Sequence, residues 1–74
     1  MKLSEFFNLI EKEEYRTDYI VQLKYKYGWE KEYTIENVYL EYEAKNDCWV
    51  WLYDWNEGQE EAEVLRYVSI ENVF

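Results

Sequence analysis

Carboxylates are the side chains of this 74-residue chain with the most scope for chemistry. Asp54, Glu57, Glu60, Glu61 and Glu63 place five acids in ten residues with no base among them. Glu30, Glu32 and Glu36 line a second stretch, and Glu41 and Glu43 a third. Paired carboxylates can act as the acid and base of glycoside hydrolysis, provided that a cleft holds them at a set separation. A handful of short strands seldom builds such a cleft. The chain has no His for proton transfer near neutral pH. Its single Cys, Cys48, lies in an apolar run with no neighbouring base, so it reads as a buried small hydrophobe rather than a nucleophile.

Metal chemistry finds equally little support. Asp54, Asn56 and Gly58 have the spacing that opens a calcium loop, but Gln59 stands where that loop needs glycine and Leu65 where it needs a bidentate Glu. A polar turn is the better reading. One Cys without His is a poor basis for transition-metal ligation, and two isolated glycines cannot form a phosphate-cradling loop. The expectation is a protein that is not an enzyme and needs no cofactor or metal.

What remains is the presentation of charge. Seventeen Asp and Glu against eight Lys and Arg give a net charge of −9. Any one acidic cluster can be a solvated face that maintains solubility. Across the whole chain the surplus repels phosphate, so direct nucleic-acid binding is not expected. It also costs self-repulsion, which a basic partner surface would offset. Carboxylates spaced along strands can meet the Arg and Lys that otherwise grip phosphates. Interleaved Tyr and Trp can add anchoring area and stack on guanidinium groups. The candidate partner-binding residues are therefore Trp29, at a hairpin tip, with Glu30, Glu32, Glu41, Glu43, Asp54, Glu57, Glu60, Glu61 and Glu63.

The elements that must position these groups follow from hydrophobic period. Leu3, Phe6, Phe7 and Ile10 form one stripe of a helix. Ser4 is its expected N-cap, and the acids at 11, 13 and 14 predict a stop near Glu14. From Asp18 the period becomes 2, with Tyr19, Val21, Leu23, Tyr25 and Tyr27 on one face of a strand and Ile20, Gln22, Lys24 and Lys26 on the other. Gly28-Trp29 supplies a turn. A second strand runs through Tyr33 and Ile35, and the apolar phase then slips at Glu36-Asn37 before Val38, Leu40 and Tyr42. The slip predicts a bulge or a break between a second and a third strand. A fourth strand is expected over 48–55, the turn 56–59 follows, and a fifth strand covers about 61–68. Thr34-Ile35-Glu36-Asn37-Val38-Tyr39 is echoed by Ser69-Ile70-Glu71-Asn72-Val73-Phe74, which suggests a shared short turn capped by a hydroxyl. The fold class is α+β: an N-terminal helix packed on a curled antiparallel sheet, or on a small SH3-like barrel, of about five strands.

The fourth strand is apolar on both faces, Cys48, Val50 and Leu52 on one and Trp49, Trp51, Tyr53 and Trp55 on the other. An even-length loop before it pairs Val38, Leu40 and Tyr42 with the Trp face and makes the tryptophans core. An odd loop pairs them with the Cys48 face and leaves an aromatic ladder outside, edged by Glu41 and Glu43. Asn46-Asp47 suits a two-residue turn, and Lys45-Asn46-Asp47 a three-residue one. Large aromatics dominate core burial, which favours the even case.

Length and composition set the remaining bounds. The chain is expected to form a single domain, 1–74, and a domain this small buries only about 60% of its unfolded surface. Its 22% aromatic content argues against disorder despite the charge. A lone Cys provides no disulfide framework, no apolar leader is evident, and the longest apolar run is too short to span a membrane. A soluble, cytoplasmic protein is expected.

In size, charge, aromatic content and the acidic stretch 54–63, the chain resembles the small acidic inhibitors encoded by phages, particularly anti-CRISPR proteins and other DNA mimics. The resemblance lies in general character and not in a diagnostic motif. It implies occupation of the basic nucleic-acid-binding surface of a nuclease such as a CRISPR effector, in the host cell cytoplasm. The alternatives are a toxin-immunity or antitoxin-like partner, and a structural domain that self-associates as a homodimer through an edge strand or the Trp ladder.

Overall fold

The computed structural model describes residues 1–52 and 62–70. One helix, α1 (Leu3–Glu11), is followed by four strands: β1 (Tyr19–Tyr25), β2 (Thr34–Glu43), β3 (Cys48–Leu52) and β4 (Glu63–Ser69). The strands form one antiparallel sheet in the order β3-β2-β1-β4. The fold is α+β with the helix on one face of the sheet. The sheet is open, and its edges β3 and β4 do not close into a barrel.

The helix stripe is as expected, with Phe6 and Ile10 buried against the sheet and Leu3 and Phe7 partly so. Its ends differ. Lys2, and not Ser4, occupies the N-cap, without a side-chain cap. The reason lies in the two residues before the helix, which pair with β4. The Val64 amide donates to the Met1 carbonyl at 2.7 Å, the Met1 amino group donates to the Val64 carbonyl at 2.7 Å, and Lys2 bridges Glu63. The helix starts as soon as this pairing ends, which places Ser4 within its first turn. At the other end it stops at Glu11, where the Arg16 guanidinium donates to the carbonyls of Ile10 at 3.2 Å and Glu11 at 2.8 Å. A cation on exposed helix-end carbonyls satisfies groups that the acids at 13 and 14 cannot. The same guanidinium lies 5.2 Å from the Trp49 ring and 3.8 Å from the Asp47 carboxylate. Arg16→Ala is therefore expected to lower stability by about 1–2 kcal/mol in chemical denaturation. Arg16→Lys should recover only part, because an ammonium lacks the planar fork.

Strand β1 alternates as predicted. Tyr19, Val21, Leu23 and Tyr25 are buried toward the helix, whereas Ile20, Gln22 and Lys24 face away. No break divides the next strand. Positions 34–43 form one continuous strand that pairs with β1 from Tyr25↔Thr34 to Tyr19↔Leu40. The expected second and third strands are thus one, which leaves four strands. The apolar slip has a different cause. Thr34 and Glu36 lie on the helix side of the sheet but are exposed there, and the Tyr25 hydroxyl donates to the Glu36 carboxylate at 2.8 Å. Ile35 sits on the open face instead. The irregularity falls in β4, whose register with β1 shifts between Gln22 and Leu23 and leaves Leu65 as the extra residue. The echoed hexapeptide also takes another form. Residues 34–39 are extended strand rather than a capped turn, and in the second copy Ser69 ends β4, so Ile70 lies past its strand where Ile35 lies within one.

The β2–β3 connection is residues 44–47, a four-residue loop of even length. Asp47 closes it with φ 49°, a left-handed conformation that Asp tolerates. Tyr42 pairs with Trp49 and Leu40 with Trp51, so both tryptophans face the helix side and pack against the core. The Trp49 indole donates to the Thr17 carbonyl at 2.9 Å, and Trp51 meets Phe7 edge-on at 5.9 Å. Trp55 and the expected turn 56–59 lie outside the described residues. Cys48 is exposed on the open face, contrary to its reading as a buried hydrophobe, because even parity turns its side of β3 away from the helix. No helix among the described residues is long and apolar enough to cross a membrane.

Candidate functional site

The β1–β2 loop, 26–33, holds three of the candidate residues. The Glu30 amide donates to the Tyr27 carbonyl at 3.0 Å and closes a turn over Gly28 and Trp29. Trp29 is 71% exposed. Its ring is not adrift, for it stacks on Tyr27 at 4.9 Å with 13° between the planes, and Tyr27 in turn meets Tyr25 edge-on at 6.2 Å. A chain of three rings therefore ties an exposed indole to the buried end of β1. Glu30 is half-buried and Glu32 exposed beside it. An aromatic anchor held in place before binding loses little conformational entropy when it docks.

Glu41 and Glu43 sit at the opposite end of the sheet. They share the open face of β2, as their spacing requires, opposite Val50 and Cys48 of β3. The Asn46 side-chain amide donates to the Glu43 carboxylate. The length of β2 separates this pair from the Trp29 loop, so the structure does not gather the two sets into one ridge.

Glu63 belongs to neither set. It pairs with Lys24 on β1 and bridges Lys2, and its carboxylate lies 3.9 Å from the Met1 amino group. Lys24 and Lys26 place their ammonium groups 4.7 and 5.3 Å from the Tyr33 ring. A groove of about 490 Å³ here is lined by the cations of Lys2, Lys24 and Lys26 and by the acids Glu5 and Glu63, with Met1, Tyr33 and Ala62. Glu63 thus has Lys2, Lys24 and the Met1 amino group about it, together with the acid Glu5. Asp54, Glu57, Glu60 and Glu61 lie outside the described residues. The strands place the two ends of their segment at opposite edges of the sheet, Leu52 on β3 and Ala62 before β4.

Two ion pairs occur among the described residues, Met1 with Glu63 and Arg16 with Asp47. Most described carboxylates, Glu30, Glu32, Glu41 and Glu43 included, have no cation within ion-pair reach. Besides Glu36, two carboxylates accept from tyrosine: Asp18 from the Tyr39 hydroxyl at 2.7 Å and Asp47, which is also ion-paired, from the Tyr42 hydroxyl at 2.6 Å. Each hydrogen bond holds the phenol in its neutral form, so both tyrosines titrate above the ordinary value. No three Asp, Glu or Cys side chains among the described residues converge to hold a metal ion.

Sequence reasoning missed Tyr27 as the support of Trp29, and it missed the basic corner around Tyr33. Both follow from the β1–β2 register: residues two apart on one strand share a face, and Lys26 reaches Tyr33 across the start of the loop. No protein-family model, no curated protein and no solved structure matches the chain.

Proposed function

We propose that this protein is an acidic protein-binding inhibitor of the anti-CRISPR or DNA-mimic type, which occupies the basic nucleic-acid-binding surface of a nuclease in the cytoplasm. The observation that carries this reading is the Trp29 loop, an exposed and prestacked indole beside the carboxylates of Glu30 and Glu32, which form no ion pair among the described residues. An indole offers a face to a guanidinium, and flanking carboxylates offer charge-assisted hydrogen bonds to the same group. Basic channels built for phosphate present Arg and Lys for both contacts. The remainder of the −9 charge steers approach to such a surface.

The test is competition with nucleic acid on a panel of guide-loaded CRISPR effector nucleases, read by DNA cleavage and by displacement of labelled DNA. Inhibition of at least one member is expected, and it should weaken as salt rises. Trp29→Ala, and Glu30→Lys combined with Glu32→Lys, should each weaken inhibition by about tenfold or more without unfolding the chain. Inhibition that ignores salt and both variants, or no inhibition across the panel, overturns the reading.

A further inference from the structure

The face of the sheet turned away from α1 carries side chains that a merely solvated face does not need. Leu52, Tyr39, Ile20 and Val68 fall in register and form one row across all four strands. Val50 flanks the row on β3, and Ile35 lies on the same face of β2. Leu52 and Ile35 are each 57% exposed, and Tyr39, Val50 and Val68 are exposed as well. The solvated face of an antiparallel sheet is ordinarily polar, and contiguous exposed apolar groups mark an interaction surface.

Charge is divided on the two sides of this row. Toward the β2–β3 loop the face carries Glu41 and Glu43. Toward the β1–β2 loop it carries Arg66, level with the neutral Gln22 and Asn37 beside the row, and Lys24 one step further out, opposite Ile35. Glu63 also lies on this side, opposite Lys24, and its carboxylate lies 3.9 Å from the Met1 amino group. A uniformly basic partner would meet Lys24 and Arg66 on this face, and a uniformly acidic one would meet Glu41 and Glu43. A second copy of the chain avoids both conflicts. A two-fold axis lying in the face, close to the apolar row, lays that row on its own copy and turns Glu41 and Glu43 over Lys24 and Arg66. The slight inclination this requires agrees with the angle of about 30° at which aligned sheets pack.

We propose that the open face is the interface of a two-fold homodimer, with an apolar row at its centre and reciprocal Glu41/Glu43 to Lys24/Arg66 contacts on either side. The interface is isologous, as closed symmetry requires. The Trp29 loop lies at the end of the sheet, beyond the row, so the dimer presents two copies of it and can gain avidity on a partner with two sites.

Sedimentation velocity of the full chain over a wide concentration range, with far-UV circular dichroism to confirm folding, tests the proposal. A reversible dimer is expected. Leu52→Lys and Val68→Lys should each weaken it by about tenfold or more, and Val50→Lys replaces either one that fails to fold. Glu41→Lys with Glu43→Lys should weaken it also, and adding Lys24→Glu and Arg66→Glu to that variant should restore it. A chain that stays monomeric at every concentration overturns the proposal, even if the face binds an unrelated protein. So does a dimer that ignores Leu52→Lys and Val68→Lys, which marks edge-strand pairing, and so does a charge exchange that restores nothing.

Discussion

Phe6→Ala is expected to cost about 3–5 kcal/mol, the range for deleting a buried aromatic. A domain of 74 residues has a total stability of roughly 4–11 kcal/mol at about 0.05–0.15 kcal/mol per residue. One substitution should therefore remove much of what holds the fold. Phe6 is fully buried, and its ring makes edge-on contacts with Phe7 at 5.5 Å, Tyr19 at 6.0 Å and Tyr67 at 4.9 Å. Those partners lie on the helix, on β1 and on β4, so Phe6 joins three elements at one point. Few neighbours can collapse into the space, since the helix has only nine residues and two of them are buried. The measurement is a denaturant midpoint followed by circular dichroism. Phe6→Leu, which keeps most of the volume, should lose much less. Equal losses for the two variants would show that Phe6 is not the joint described here.

The core was legible in the sequence because its residues obey one period per element. Leu3, Phe6, Phe7 and Ile10 mark the helix, Tyr19 to Tyr25 mark β1, and Val38 and Leu40 mark β2. The reading failed where the inner face of the sheet is exposed on the helix side. Glu36 is an inward position by register, yet it is exposed and hydrogen-bonded to Tyr25. Period alone interprets a polar residue there as a change of phase, and so it split one strand into two. The same locality explains Ser4. A hydroxyl ahead of an acidic residue resembles a cap, but the pairing of Met1 and Lys2 with β4 is a contact across 63 positions and leaves no local trace.

The candidate site divides along similar lines. Trp29, Glu30 and Glu32 belong to one loop, so their proximity follows from sequence alone. Glu41 and Glu43 share a face because they are two apart on a strand. Whether the loop and the pair adjoin depends on which end of β2 each occupies. The assumed break in that strand hid the answer, since an unbroken β2 puts them at opposite ends. Glu63 was grouped with its neighbours in sequence, whereas its pairing partners Lys24 and Lys2, and the Met1 amino group at its carboxylate, belong to other parts of the fold. The tryptophans of β3 needed one further fact, the length of the loop 44–47. Its even count turns Trp49 and Trp51 inward and puts Val50 and Leu52 on the face with Tyr39.

Asp18→Ala is expected to cost about 2–3 kcal/mol, because one carboxylate fastens the start of β1 to β2. Its two oxygens accept from the Tyr42 amide at 2.7 Å and from the Tyr39 hydroxyl at 2.7 Å. The Asp18 carbonyl also accepts from the Ile70 amide at 2.9 Å, a bond that the substitution leaves in place. The part-buried Tyr42 amide is the larger loss, since it is left without its acceptor, whereas water can reach the Tyr39 hydroxyl. Asp18→Asn retains one acceptor oxygen and should lose less. A tyrosine titration separates this account from a general loosening of the fold. The hydrogen bond to Asp18 is the first cause of the upward shift of Tyr39, so removing the carboxylate should bring its ionisation back toward the ordinary value of about 10. Tyr42 is raised chiefly by its bond to Asp47 and should keep its shift in Asp18→Ala, losing it in Asp47→Ala. The sign of the linkage follows. A phenol whose folded pKa lies above its unfolded one contributes stability that is present below about pH 10 and is lost as pH rises through the folded value. Asp18→Ala should therefore remove part of the alkaline destabilisation along with the bond. If Tyr39 titrates at the same pH in the wild type and in Asp18→Ala, Asp18 is not its partner.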